Sequence, residues 1–267
     1  MLFKKISFLI GVVLVSSVYA ADYPKPIQTA VNAGLKVITD FPTPAGLHGW
    51  VMQQGNQYSI VYTTADEQYL VTGVLVDSNG KNLSAEYGQK FIPKPDYSAP
   101  YDELANAAWF SEGSKNDSNM IYVFFDANCI FCHLVWKALQ PYEKAGLQVR
   151  WIPVAFLKKD SAGKAAALLA AKNPAASMAV NMGKFDKKDE SGGIPAAGKI
   201  PAETLKRIQQ NGALMERFGS NGTPTLVWKD KSGQISALGG MPRLSDLPDM
   251  TGLAEQQIDD PELARFK

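Results

Sequence analysis

Cysteine and histidine are scarce: the 267 residues hold two of each. Both cysteines, Cys129 and Cys132, sit in one C-x-x-C, so a four-thiolate zinc site and a scaffold of several disulfides are excluded. An excess of one charge sign is missing too. Lys and Arg total 27 against 26 Asp and Glu, a formal charge of +1, which gives no electrostatic case for nucleic acid as a partner. No apolar run reaches the ~20 residues that would cross a bilayer. Disorder is excluded as well, because 46% of the residues are hydrophobic and 20% charged, enough apolar material for one large domain or two smaller ones.

The amino terminus has the order of a secretory leader. Lys4 and Lys5 precede the apolar run ISFLIGVVLV, and small residues end in Val18-Tyr19-Ala20. Cleavage is expected after about Ala20, taking two positive charges away and leaving −1 on the mature chain. A protein so exported meets an oxidising compartment, where cysteines can be disulfide-bonded.

Along the mature chain, Ile27, Ala30, Val31, Leu35 and Ile38 recur at helical spacing and predict one amphipathic helix over 26–41, stopped by Pro42 and Pro44. Short β-branched and aromatic runs from Gly46 to Ser84 alternate with turn signals at Gly55-Asn56, Ala65-Asp66 and Ser78-Asn79-Gly80, the pattern of a small antiparallel sheet. A unit of about 65 residues is marginal alone, so association into a dimer is expected. Pro93, Pro95 and Pro100, a helical patch from Tyr101 to Phe110 and a polar run mark residues 91–118 as a linker.

From residue 119 the pattern changes. MIYVFFDAN reads as a buried strand; Phe131, Leu134, Val135, Ala138, Leu139 and Tyr142 line one helix face, which Pro141 should bend or end; LQVRWIPVAF reads as a second strand. Strand, helix, strand implies a parallel pair with a crossover. An alanine-rich helical block divided by Pro174, a polar loop, a helix from Pro201, a hairpin around Lys231-Ser232-Gly233 and a short helix over 244–252 complete a β-α-β, helical block, β-β-α order. Tyr62, Trp109 and Trp228 read as packing residues.

Three chemistries compete for Asn128-Cys129-Ile130-Phe131-Cys132-His133. A purely structural disulfide gains little, because closing so short a loop removes only about 2 kcal/mol of unfolded-state entropy. C-x-x-C-H is also the haem-attachment signature, but this motif follows an apolar strand and opens an amphipathic helix within an α/β pattern; His133 then reads as a partly exposed helix residue. A redox dithiol at the mouth of a βαβ unit fits that context. Cys129 at the helix start would lie among unsatisfied N–H groups that stabilise its thiolate, with Cys132 one turn inside to resolve a mixed disulfide. Thr223-Pro224, opening a strand downstream, adds weight, since a proline there lacks an N–H and in the cis form would turn the chain sharply.

These segments together resemble the DsbC/DsbG family of periplasmic disulfide isomerases, its DsbG branch more closely. GLHGWVMQQGNQYSIVYTT and VTGVLVDSNGKNLS are similar to the family's dimerisation domain, YVFFDANCIFCHLVW with ALQPYEKAG to its active-site strand and helix, AAALLAAKNPA to its inserted helices, and NGTPTLVWKDKSGQI with LGGMP to its cis-proline region. The resemblance implies an α+β protein, with a signal peptide (1–20), a cystatin-like dimerisation domain (21–90), a linker with a helix (91–118) and a thioredoxin fold with a helical insertion (119–267). It implies a V-shaped homodimer without cofactor or metal. Its partners would be proteins carrying disulfides or sulfenic acids, and a membrane reductant of the DsbD type would supply electrons. Cys129 would be the nucleophile, Cys132 the resolving thiol, and Thr223 with Pro224 the loop that holds substrate backbone. Ile130-Phe131 stands where the branch has Pro-Tyr, a departure that bears on reduction potential and so on the balance of reducing, isomerising and oxidising. A net oxidase, or a chaperone-type binding protein with an incidental dithiol, are the alternative functions.

Overall fold

The computed structural model describes residues 23–267 apart from positions 45, 56 and 116, so the leader 1–20 and its cleavage point lie outside the described residues. The chain divides into two compact units, Met1–Lys94 and Pro95–Lys267.

In the first unit, α1 (Lys25–Asn32) ends well short of residue 41. Gly34 takes φ +97, a left-handed conformation that glycine adopts without steric cost. The β-branched run Val37-Ile38-Thr39 then enters β1 (Lys36–Pro42) in place of the predicted helix. β2 (Leu47–Gln54), β3 (Gln57–Thr64) and β4 (Leu70–Thr72) complete an antiparallel meander ordered β1-β2-β3-β4. Ile27, Trp50, Met52 and Val61 form a core between α1 and the sheet, where the Trp50 indole donates to Thr63 Oγ1 at 3.0 Å. α2 (Leu83–Phe91) is capped by Asn82, whose side chain accepts from the Ala85 N–H, and Phe91 stacks on Phe41 with ring centroids 4.3 Å apart. Gly49 admits that Phe41 ring, since a Cβ there would lie 2.2 Å from it.

In the second unit, α3 (Ser98–Glu103) runs into a 3-10 turn over 104–106, and β5 (Phe110–Gly113) follows. The helix predicted over 101–110 is thus cut short, because Phe110 pairs across to Trp151 and sheet pairing overrides the local pattern. β6 (Met120–Phe125), α4 (Ile130–Lys144) and β7 (Gln148–Pro153) form the expected parallel β-α-β. α5 (Ser161–Ala170) and α6 (Pro174–Gly183) are separated at Pro174 as predicted, then come α7 (Ala202–Glu216), the hairpin β8 (Thr225–Lys229) and β9 (Ile235–Gly239), and α8 (Leu247–Thr251). Pro141 does not end α4, which continues to Lys144; the lost hydrogen bond is outweighed by the buried face of Ala138, Leu139 and Tyr142.

The five strands are ordered β5-β7-β6-β8-β9. β6 is sandwiched: Ile121, Val123 and Phe125 join a core with α4 and α8, and Tyr122 and Phe124 join another with Leu214, Met215 and Phe218 from α7 and the turn after it. Burial on both faces is why the strand reads as a continuous apolar run. Tyr62 of β3 is buried, and its hydroxyl meets Ser84 Oγ at 2.5 Å.

Candidate active site

The carboxyl end of β6 delivers the chain into Asp126-Ala127-Asn128, and Cys129 then caps α4 with φ −88 and ψ 119. That conformation aims its sulfur at the helix's unsatisfied N–H groups. Cys129 Sγ accepts from the Cys132 N–H at 3.2 Å, and the Cys129 thiol donates to the Thr223 carbonyl at 3.3 Å. Thr223-Pro224 is cis. The geometry therefore brings together all four residues singled out in the sequence: both cysteines, Thr223 and Pro224.

The two sulfurs differ in environment. A hydrogen bond from the Cys132 thiol, then others from Thr223 and the backbone of Cys132 and Phe131, hold the Cys129 thiol below its ordinary range against the opposing effect of its own burial. Cys132 is fully buried, and burial first, then the adjacent Cys129 sulfur, push its thiol well above that range. Two neighbouring thiols, the one at the helix start ionising more readily than the one buried beneath it, are an arrangement that two-step disulfide exchange can use.

His133 is buried, not partly exposed as predicted. Its Nδ1 meets the Met182 carbonyl at 2.9 Å, its Nε2 meets Glu262 at 3.2 Å, and its ring stacks on Phe185. With both ring nitrogens engaged by the protein, neither faces outward as a haem ligand would. Glu262, from a 3-10 turn over 261–266, also pairs with Lys187 and with Lys137 at 3.2 Å, and lies far below its ordinary value, at about 2, chiefly through Lys187. Around the dithiol, Phe131, Phe156 and Leu157 are exposed, and the Arg265 guanidinium stands 6.0 Å from the Phe131 ring centre.

A polar cluster beneath the cysteine turn is absent from the sequence reading. Buried Asp126 accepts from the Asn128 N–H at 3.0 Å and Ser161 Oγ at 2.8 Å with one oxygen, and from the N–H groups of Phe156 (3.0 Å) and Leu157 (3.1 Å) with the other. Two signals marked it: polar Asp126 and Asn128 closing an apolar strand, and Lys164 as the only charge inside the alanine-rich α5.

Comparison with known proteins agrees with this geometry. Residues 110–248 match the thioredoxin-like domain family and residues 18–85 the disulfide bond isomerase protein N-terminal domain. The thiol:disulfide interchange protein DsbG of Pseudomonas aeruginosa is 30% identical over 234 residues, covering 87% of this chain and 90% of the relative. DsbG of Escherichia coli is 27% identical over 90% of this chain and 94% of its own. The thiol:disulfide interchange protein DsbC of Haemophilus influenzae is 27% identical over 76% and 78%. With both units matched and a 30% identical relative aligned over most of both chains, this chain belongs to the DsbC/DsbG family of thiol:disulfide interchange proteins.

Proposed function

We propose that the enzyme works in the periplasm as a disulfide isomerase and reductase of client proteins, with Cys129 as nucleophile and Cys132 as resolving thiol. The observation that carries this reading is the asymmetry of the pair: Cys129 caps α4 with its sulfur on the Cys132 N–H, and Cys132 is sealed beneath it. The Cys129 thiolate attacks one sulfur of a client disulfide, and the other leaves as a thiolate that takes up a proton. Either that client thiolate rearranges the disulfides, or Cys132 loses its proton, attacks Cys129 and releases the reduced client with two electrons transferred. A client sulfenic acid follows the same course, its oxygen leaving as water. The backbone of Thr223, beside Cys129 at the start of β8, supports a role for Thr223-Pro224 in pairing with an extended client strand.

Electrons would return from a membrane reductant of the DsbD type. The domain reading is signal peptide 1–20, dimerisation domain 21–90, linker 91–118 and catalytic domain 119–267, with the linker lending α3 and β5 to the catalytic unit. A homodimer through the first unit is supported by β4, an edge strand that exposes Leu70 and Val71, with Tyr69, Val74 and Val76 exposed around it.

The test is a pair of substitutions. Cys132→Ser should accumulate a mixed disulfide between Cys129 and a scrambled client, visible by non-reducing gel and mass spectrometry, whereas Cys129→Ser should trap nothing and lose activity. Trapping through Cys132 instead would overturn the assignment, and unchanged refolding with neither cysteine would favour the chaperone reading.

A further inference from the structure

Lys164 sits in α5 with only 3% of its surface exposed, and an ammonium so placed needs a reason. Its three N–H donors are all used, each at 2.8 Å: on Asn128 Oδ1, on Ser191 Oγ and on the Gly192 carbonyl. Asp160, one turn earlier, supplies the countercharge at 3.1 Å. Burying such a group is a poor route to stability, because its desolvation offsets most of the attraction gained. What the group does do is hold Asn128, the residue immediately before Cys129.

Asn128 is gripped from every side. Its Oδ1 also accepts from the Gly192 N–H at 3.1 Å, and its Nδ2 donates to Asp160 at 2.9 Å and Ser161 Oγ at 3.0 Å. The preceding carbonyl, Ala127, accepts from Asn181 Nδ2 of α6 at 3.0 Å. Gly192 comes so close that a Cβ on it would lie 2.3 Å from the Ala127 carbonyl oxygen. Helices α5 and α6 and the loop around residue 192 thus converge on one dipeptide. The orientation of the Asn128–Cys129 peptide sets whether the Cys129 sulfur meets the Cys132 N–H and the Thr223 carbonyl.

We infer that Lys164 is a positioning residue for the redox centre: acting through Asn128, it orients the Cys129 turn and thereby sets the reactivity of the outer thiol. This rests on the reading of Cys129 as nucleophile. The helical insertion is then part of the catalytic apparatus, and its buried cation is retained for the reaction more than for the fold.

The test measures iodoacetamide alkylation of Cys129 against pH in the reduced mature protein, located by peptide mass spectrometry, with thermal unfolding followed separately. Lys164→Met should move the alkylation midpoint upward, leaving about threefold less Cys129 thiolate on the rising limb of the curve, a half-unit shift by the usual relation. In an Asn128→Ala background the same substitution should add no further shift. An unchanged midpoint in folded Lys164→Met, or an equal further shift in the Asn128→Ala background, overturns the proposal. Should Lys164→Met not fold, Ser191→Ala removes one of the ammonium's acceptors at a half-buried site. An unchanged midpoint there overturns the proposal equally. Wild-type protein distinguishes the two readings: preferential alkylation of Cys132 would sink the nucleophile assignment, whereas normal Cys129 alkylation that ignores Lys164 sinks only this inference.

Discussion

Glu112 of β5, buried, and Glu143 near the end of α4, half-buried, form an acidic pair whose behaviour with pH can be worked out from its surroundings. Glu112 is 8% exposed and receives the Trp136 indole N–H at 3.1 Å, yet burial pushes its carboxyl up from the ordinary 4.5 to about 7. Glu143 is pushed up to about 8, first by burial and then by repulsion from Glu112. Both values lie above those of the unfolded chain. As pH rises from about 4.5, the unfolded state therefore gives up these protons first, and stability falls until pH passes about 8. At ~1.4 kcal/mol for each factor of ten in proton affinity, Glu112 alone accounts for at most about 3–4 kcal/mol of that loss. Glu112→Gln keeps an acceptor for Trp136 and removes the charge, and it also relieves Glu143. Calorimetry at pH 8 should show the variant more stable by about 1–3 kcal/mol, roughly 2–4 °C of melting temperature per kcal/mol for a unit of this size. At pH 4.5 the two proteins should melt alike. A variant neutral at pH 8, or destabilised equally at both pH values, would refute the reasoning.

Glu262 has the opposite sign. Its folded value of about 2 lies below the ordinary 4.5, so its contribution is present above pH 4.5 and lost as pH falls towards 2. Glu262→Gln should cost about 1–2 kcal/mol at pH 7, with no difference near pH 2, read by chemical denaturation across that range. Gly49→Ala drives a methyl into the Phe41 ring and should destabilise the first unit by about 1–3 kcal/mol. Its melting transition checks the magnitude, and Cys129 alkylation in the second unit should not change.

The redox centre was legible before any coordinates because its determinants are local. An apolar strand, a C-x-x-C and an amphipathic helix in direct succession place one sulfur at a helix start and the other a turn inside, whatever surrounds them. The parallel β-α-β, the division of α5 from α6 at Pro174 and the β8-β9 hairpin followed for the same reason, from residues adjacent in sequence. The single helix predicted over 26–41 failed where two signals competed, since the periodicity continues past Gly34 while the glycine and the β-branched run after it favour a strand. β5 escaped notice because its four residues are defined by pairing with β7, and no local pattern marks a short strand added from outside.

By itself, then, the sequence carried the dithiol, the local order that puts Cys129 at a helix start and Cys132 one turn inside, and the segments that mark the family. Tertiary structure alone decided what surrounds that chemistry. Lys164 lies 36 positions from Asn128 and Glu262 lies 129 from His133, and neither spacing carries a periodic signal. Such contacts arise only when the sheet and the inserted helices pack, because burial leaves each polar group to find its partner wherever the fold brings one.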